Sequence, residues 1–209
     1  MKDTWLQFWN DRYQDPDYAY GKLPNVFLRE QLAQLAFSKV LFGAEGEGRN
    51  AVYAAQSGWE VTAFDISEAG RQKALQLAAS KAVDIDYKVG RLPNLQFENA
   101  SFDLIVLIYA HFPPNIRSTY HQLLDQYLRV GGHIIFEGFG KNHLEYRTKN
   151  PTVGGPGSLD MLFSVEELET AFPNYEPSIL REEVIMLDEG SKHVGQGSVV
   201  RFVGRKTST

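Results

Sequence analysis

The spacing of apolar residues changes near residue 39 and divides the predicted elements into two groups. Before that point, Trp5 to Tyr13 and Val26 to Phe37 carry apolar residues at helical spacing and predict two helices. A loop rich in turn residues and tyrosines joins them. From Lys39 onward, short apolar runs alternate with helical patterns, which is typical of a parallel sheet with helices packed on it.

The second group predicts an α/β sandwich. Its predicted strands are residues 40–42, 60–64, 85–89, 102–108 and 133–137, and its predicted helices are 49–57, 67–81, 113–128 and 164–172. Gly131 and Gly132 predict a turn before the fifth strand. Two last runs, 179–187 and 196–205, predict an antiparallel hairpin. We therefore expect one domain over residues 1–209, with a seven-stranded, mostly parallel sheet that ends in this hairpin.

Two segments lie outside this regular alternation. The helical region 1–37 precedes the first strand, and we expect it to act as a lid. Residues 140–163 show little periodic apolar pattern, contain the Gly154-Gly155-Pro156 run and predict an inserted loop. Because this loop would lie between the fifth strand and the next helix, we expect it to shape an acceptor pocket.

Composition excludes several classes of protein. The net charge of −5 argues against the nucleic-acid backbone as the main partner, since phosphate binding needs a basic surface. The chain has no cysteine, which excludes disulfides and cysteine chemistry. No apolar run approaches the roughly 20 residues of a membrane span, and the first residues lack the apolar stretch of a signal peptide. These features predict a cytoplasmic enzyme.

A glycine-rich turn follows the first predicted strand. Gly46 and Gly48 would let the backbone approach a ligand where a Cβ would clash, and the next helix would direct free N–H groups at it. Residues 46–51 also match G-x-G-x-x-A, so an NAD site is an alternative, as is a turn without a ligand. Asp65 ends the second predicted strand about twenty residues later, where a carboxylate accepts the ribose hydroxyls of an adenosine. The alternative for Asp65 is a helix cap or a loop charge.

Several segments resemble the class I S-adenosylmethionine-dependent methyltransferases, most closely the tellurite-resistance and thiopurine methyltransferase-like branch. These segments are Lys39–Val52, Asp65–Ser67, Phe102–Val106 with Tyr109–Pro113, Leu128–Ile135, and Trp9–Tyr13 with Tyr18–Leu28. The resemblance covers nearly the whole chain. It implies a Rossmann-like fold, S-adenosylmethionine as cofactor, and transfer of a methyl group to a small molecule, with no metal required.

The resemblance also implies a set of cofactor-binding residues. These are Tyr13, Tyr20, Gly43, Ala44, Glu45, Gly46, Gly48, Asn50, Asp65, Ile66, Arg91, Leu92 and Tyr109. The chain departs from the family at Phe42, where an acid is usual, and at Arg91, near the usual adenine-binding Asp. Glu45 or its backbone is then expected to contact the methionine ammonium, with a solvent-facing turn residue as the alternative. Arg91 is expected either to stack on the adenine or, with Leu92, to contact it through the backbone alone.

His111 follows the fourth strand and is the first candidate for a general base, with a structural role as the alternative. His193 and His143 are weaker candidates. Trp9, Tyr13, Tyr18, Tyr20 and Phe27 predict an aromatic lid over the cofactor, whereas Trp5 and Phe8 predict a buried helix stripe. Two functions compete with methyl transfer: an NAD-dependent oxidoreductase and a non-catalytic S-adenosylmethionine-binding protein.

Overall fold

Apolar runs form the strands of one mixed sheet in the computed structural model, which describes residues 3–36 and 38–209. The strands are β1 (Lys39–Gly43), β2 (Glu60–Asp65), β3 (Asp86–Val89), β4 (Phe102–Ile108), β5 (Leu128–Phe139), β6 (Tyr175–Glu189) and β7 (His193–Lys206). Their order is β3-β2-β1-β4-β5-β7-β6. The first five pair in parallel, and β7 runs antiparallel to both β5 and β6. The predicted seven-stranded α/β fold with its terminal hairpin is confirmed.

The helices cover both faces of this sheet. They are α1 (Thr4–Tyr13), α2 (Val26–Leu32), α3 (Arg49–Gln56), α4 (Glu68–Ser80), α5 (Pro114–Tyr127), α6 (His143–Lys149) and α7 (Val165–Ala171). Successive side chains of β1 alternate between the faces: Leu41 packs in one core with α5, and Phe42 packs in the other with α2 and α3. Phe42 is fully buried, which explains why an apolar residue occupies this position.

Several element boundaries differ from the prediction, and three of the differences have a visible cause. Helix α2 ends at Leu32 rather than at residue 37, because tight turns from Gln31 and Leu32 replace its last turn; Phe37 itself lies outside the described residues. Strand β5 starts at residue 128 and continues through both glycines, where its pairing with β4 shifts register. The predicted loop 140–163 contains helix α6, whose first residue, His143, is buried against Phe139. Long-range packing, not local periodicity, sets these boundaries.

No helix in the described parts of the chain is long and apolar enough to cross a bilayer.

Candidate functional site

A cavity of about 430 Å³ opens at the carboxyl ends of the central strands, beneath α1. Open α/β sheets bind ligands at this edge, and the volume suits a small-molecule site. Ten of the predicted site residues line it: Tyr13, Tyr20, Ala44, Glu45, Asn50, Asp65, Ile66, Arg91, Tyr109 and His111. Gly43, Gly46, Gly48 and Leu92 are not among the lining residues.

Asp65 presents a buried carboxylate to this cavity. Its Oδ2 accepts a hydrogen bond from the Gly46 N–H (3.0 Å), and its Oδ1 accepts from the Ser67 N–H (2.9 Å). No described residue forms an ion pair with it. Burial raises its pKa to about 6, against the effect of these backbone donors. A carboxylate held in this way still has lone pairs for hydroxyl donors of a ligand.

Gly46 and Gly48 give the turn its shape by packing against the protein. Both have left-handed φ angles, +61° and +84°. A Cβ on Gly46 would lie 2.5 Å from the Tyr13 hydroxyl oxygen, and a Cβ on Gly48 would lie 2.5 Å from the Cβ of Ala74. Gly48 makes room for α4, so packing already explains this glycine, and its contact with a ligand stays a prediction. Gly46 makes room for Tyr13, which itself lines the cavity.

Gly43 and Leu92 also belong to the core. A Cβ on Gly43 would approach Leu107 to 2.8 Å, and the Leu92 side chain is fully buried in the cluster around α5. The sequence predicted contacts of Gly43 and of the Leu92 backbone with the cofactor, because both residues flank turns that do reach the cavity. In the structure both residues position their neighbours, Ala44 and Arg91, which line the cavity, and their own contact with a cofactor stays a prediction.

Glu45 caps α3. Its Oε1 accepts from the backbone N–H groups of Asn50 (2.9 Å) and Ala51 (2.7 Å), because the N-cap residue Gly48 has no side chain to do so. Burial raises the pKa of Glu45 to about 7. This corrects the solvent-facing alternative. The Asn50 side chain in turn accepts the N–H of Asn25 (2.9 Å), which fixes the start of α2.

Arg91 forms an ion pair with Asp3, the residue that caps α1. This pair joins the third strand's end to the N-terminal segment. Asn10 of α1 adds a second tie, since its Oδ1 accepts from the Ser67 hydroxyl at 2.7 Å. Arg91 therefore contacts the start of α1 and also lines the cavity, and its predicted stacking on a bound adenine stays a prediction.

The aromatic residues of α1 form one wall of the cavity. Trp5, Phe8 and Trp9 all line it, and Phe8 is 45% exposed. The predicted buried stripe of Trp5 and Phe8 is thus wrong, because α1 lies over the cavity rather than over a core. Of the predicted lid, Phe27 is instead buried in the core, and Tyr18 donates its hydroxyl to the Lys73 carbonyl (2.9 Å).

Tyr109 reaches the cavity from a strained turn after β4. Its φ of +54° is rare for a bulky residue, and its N–H donates to the Glu137 carbonyl (2.7 Å). Burial and the charge of Glu137 raise the pKa of its hydroxyl, which stays protonated. Strain of this kind is concentrated at functional sites.

His111 has both ring nitrogens engaged by backbone groups. Nδ1 lies 2.8 Å from the Met161 carbonyl, and Nε2 accepts the N–H of Phe139 at 3.1 Å. Burial lowers its pKa to about 3. No lone pair of the neutral ring remains for a substrate proton, so this geometry corrects the predicted base and gives His111 a structural role.

Replacement of His111 by phenylalanine is expected to lower the free energy of unfolding by about 2–4 kcal/mol, since a buried N–H and a buried carbonyl lose their partners. Urea denaturation measures the loss. His121→Phe is the matched control, because His121 is also buried but its Nε2 has no hydrogen-bond partner in the described part of the chain. If both substitutions cost the same, the two hydrogen bonds of His111 do not stabilise the fold.

A buried network of charges borders the cavity and was not predicted. Glu189 accepts from Asn25 (3.0 Å), pairs with Arg49 (3.1 Å) and contacts Nδ1 of His193 (3.0 Å). Beside it, Glu47 pairs with Lys73 at 2.7 Å. Hydrophobic periodicity carries no signal for such pairs. The only sequence hint was that Glu189 and His193 flank the turn of the hairpin.

The segment predicted to shape an acceptor pocket does reach the cavity. Arg147, residues 155–158 and Met161 line it. The Nε of Arg147 donates to the Gly155 carbonyl (3.1 Å), which holds the glycine run against α6. One edge of the cavity therefore comes from residues 140–163.

Comparison with protein families gives one match. Residues 40–132 match a family model described as a methyltransferase domain. This range contains the glycine turn, Asp65, Arg91 and His111. No curated protein matches the sequence.

Solved structures share the whole architecture at low identity. A structure described as the conversion of a disulfide bond into a thioacetal group during echinomycin biosynthesis is 15% identical, has a TM-score of 0.78, and covers 97% of this chain and 92% of that one. A SAM-dependent methyltransferase from Methanosarcina mazei is 19% identical, with a TM-score of 0.67 and coverages of 90% and 100%. TehB from Haemophilus influenzae is 17% identical, with a TM-score of 0.70 and coverages of 97% and 67%.

Likeness at this identity shows the fold, so the predicted tellurite-resistance and thiopurine branch stays a prediction. The chain has the Rossmann-like fold of class I methyltransferases, and the domain match together with this fold supports a methyltransferase with S-adenosylmethionine as its cofactor.

Proposed function

We propose that the protein transfers a methyl group from S-adenosylmethionine to a small-molecule acceptor. The observation that carries the proposal is the Asp65 carboxylate, which is only 6% exposed yet lines the cavity with backbone N–H groups as its partners. Burying a carboxylate without a cation is unfavourable, and the cost is offset when a ligand donates hydrogen bonds to it. The two ribose hydroxyls of the cofactor are such donors.

The other residues around the cavity fit the rest of the cofactor. Ala44 and Glu45, which follow β1, would hold the methionine part, and Gly90 and Arg91, which follow β3, would border the adenine. Tyr13, Tyr20 and the wall of α1 would exclude water. The cofactor supplies an electrophilic methyl group, and the chain's contribution is to bind, orient and shield the reactants.

Acceptor specificity is assigned to the segment 140–163. Arg147 and the residues from Gly155 to Ser158 line the cavity without belonging to the strands that carry Asp65. Loops of this kind vary independently of the sheet that positions them. On this proposal, exchanging the segment changes the acceptor and leaves cofactor binding intact.

The sheet order argues against the NAD-dependent alternative. Dinucleotide-binding sheets commonly have the order 3-2-1-4-5-6, whereas here β7 inserts antiparallel between β5 and β6. The G-x-G-x-x-A match loses weight as well, because Gly48 is needed for packing against Ala74.

Formation of S-adenosylhomocysteine tests the proposal. The purified protein is incubated with S-adenosylmethionine and panels of phenols, thiols, amines and oxyanions, tellurite included. Product that depends on one acceptor class, and is lost in Asp65→Ala, supports methyl transfer. Tight cofactor binding without turnover on any panel would favour the non-catalytic alternative.

A further inference from the structure

His193 and Glu189 form a hydrogen-bonded pair at the wall of the cavity. The two residues face each other where β6 and β7 meet the hairpin turn, and Nδ1 of the imidazole lies 3.0 Å from Oε2 of the carboxylate. Both side chains are largely buried. The pair is therefore fixed by the hairpin and does not depend on a mobile surface contact.

Glu189 is held as a carboxylate. Burial would raise its pKa, but the hydrogen bond from His193 and the charge of Arg49 lower it to about 2. A carboxylate only accepts hydrogen bonds, so Nδ1 of His193 carries the proton. The neutral ring then has its lone pair on Nε2.

Nε2 of His193 is left without a partner in the described parts of the chain, and the residue lines the cavity. This distinguishes it from His111, whose nitrogens both bond to backbone groups, and from His143, whose Nε2 lies 3.1 Å from the Gly154 carbonyl. An imidazole at the wall of a ligand cavity, with one nitrogen oriented by a carboxylate and the other without a protein partner, has the arrangement of a general base.

Three aromatic rings surround this imidazole. The ring centroids of Tyr20, Tyr109 and Phe139 lie 4.5, 4.6 and 5.1 Å from it, and all three residues line the cavity. Such walls favour a flat, apolar molecule. The reactive group of that molecule would have to meet Nε2.

The acidity and the shape of the acceptor group together narrow the class of molecule that this site would methylate. A thiol, with a pKa of about 8.5, ionises in part without help, and a neutral amine attacks before it loses a proton. An aliphatic hydroxyl can also lose its proton to an imidazole, as the serine of a catalytic triad does, but it lacks the flat ring that these aromatic walls favour. A phenolic hydroxyl, with a pKa of about 10, combines a proton for this base to remove with a flat ring that fits these walls.

We propose that His193, oriented by Glu189, is the general base for methylation of a small phenol. This inference rests on the proposed methyl transfer. The phenolic oxygen forms a bond to the methyl carbon, the carbon–sulfur bond breaks with its electron pair on sulfur, and the hydroxyl proton passes to Nε2. Water then takes this proton from the imidazole. Glu189 touches only the base and is a positioning residue.

The groups that set the basicity of His193 come from several elements. They are Glu189 on β6, Arg49 on α3, Arg12 on α1, and Tyr20, Tyr109, His111 and His143 around the ring. Burial lowers the pKa of His193, and the Glu189 carboxylate opposes that effect. The imidazole is therefore neutral and ready to accept a proton at pH 7 and above.

Two acceptors that differ in acidity distinguish a role of His193 in proton removal from a role in packing alone. Methylation of phenol and of 4-nitrophenol, which is largely ionised at pH 8, is measured for wild type, His193→Gln and Glu189→Gln. We expect His193→Gln to slow phenol methylation by about 10²-fold to 10⁴-fold and 4-nitrophenol methylation by less than about tenfold. Glu189→Gln should lower kcat for phenol with little change in KM. His133→Gln, a half-exposed histidine of β5, should keep both rates.

Binding and nitrogen chemical shifts complete the test. S-adenosylhomocysteine should bind wild type and His193→Gln alike, and adding phenol to that complex should shift the Nε2 resonance of His193 in wild type. Equal losses for both phenols, or binding of S-adenosylhomocysteine with no phenol methylated, would overturn the base and its acceptor. Failure of wild type to bind S-adenosylhomocysteine would instead refute the proposed methyl transfer itself.

Discussion

Replacing Asp65 by alanine is expected to weaken the binding of S-adenosylhomocysteine by about 10²-fold to 10⁴-fold, the largest expected effect on cofactor binding. The carboxylate would accept two hydroxyl donors from the ribose, and each hydrogen bond to a charged group contributes about 1.5–3 kcal/mol. Isothermal titration calorimetry measures the change in Kd. The substitution also leaves the N–H groups of Gly46 and Ser67 without their acceptor, so the fold must be checked by circular dichroism.

Two further variants complete this test: one removes the charge of Asp65 and keeps its shape, and the other is a control. Asp65→Asn keeps one acceptor oxygen and should weaken binding by about tenfold. Asp84→Asn removes an exposed acid from the loop before β3 and should leave the Kd unchanged. If Asp65→Ala binds as tightly as Asp84→Asn, the ribose does not bind at Asp65.

The same carboxylate predicts how affinity varies with pH. Its pKa is about 6 in the free protein, and hydroxyl donors stabilise the ionised form, so the pKa falls when ligand binds. Below pH 6 the ligand must displace a proton. The Kd of wild type should therefore fall by up to about tenfold between pH 5 and pH 7 and then level off, whereas the Kd of Asp65→Asn should not show this change.

Replacing Gly48 by alanine is expected to lower the free energy of unfolding by about 2–5 kcal/mol. The new Cβ would lie 2.5 Å from the Cβ of Ala74 and 2.8 Å from its Cα, and the residue would keep a φ of +84°. Overpacking costs about 1–3 kcal/mol, and a left-handed φ costs a further 1–2 kcal/mol or so. Urea denaturation with far-ultraviolet circular dichroism measures the loss.

Gly131 offers a matched control. Its φ is +81°, but an added Cβ would meet only the end of the Arg129 side chain, at 3.5 Å. Gly131→Ala should therefore cost only the backbone strain, about 1–2 kcal/mol. Adding Ala74→Gly to Gly48→Ala should recover part of the stability. If both substitutions lower the free energy of unfolding equally, and Gly48→Ala alone lowers the affinity for the cofactor, then Gly48 contacts the ligand and is not needed for packing against Ala74.

Alternation of strand and helix patterns was enough to predict the sheet, because the central strands are nearly continuous apolar runs. The ends of the strands and helices were harder to predict from the sequence. The register shift that carries β5 through Gly131, and the packing of His143 on Phe139 that starts α6, depend on residues paired in space. Sequence periodicity reports which face of an element is apolar, not where its partner lies.

The same contrast between local pattern and long-range contacts applies to the residues of the site. The position of Asp65 in the cavity was predictable because the residue ends a strand. His111 looked like a base for the same reason, and its two backbone partners, Met161 and Phe139, lie 50 and 28 residues away along the chain. His193 looked weaker because nothing local shows that its hairpin turns toward the cavity. Hydrogen-bond partners distant in sequence decide which histidine keeps a free lone pair.

Direct titration of the purified wild-type protein with S-adenosylmethionine and, separately, with NAD+ tests the central claim most directly. Isothermal titration calorimetry at pH 7.5 should show one molecule of S-adenosylmethionine bound per chain and no measurable binding of NAD+. Binding of NAD+ alone, or of neither ligand, would contradict the assignment of the cavity to S-adenosylmethionine.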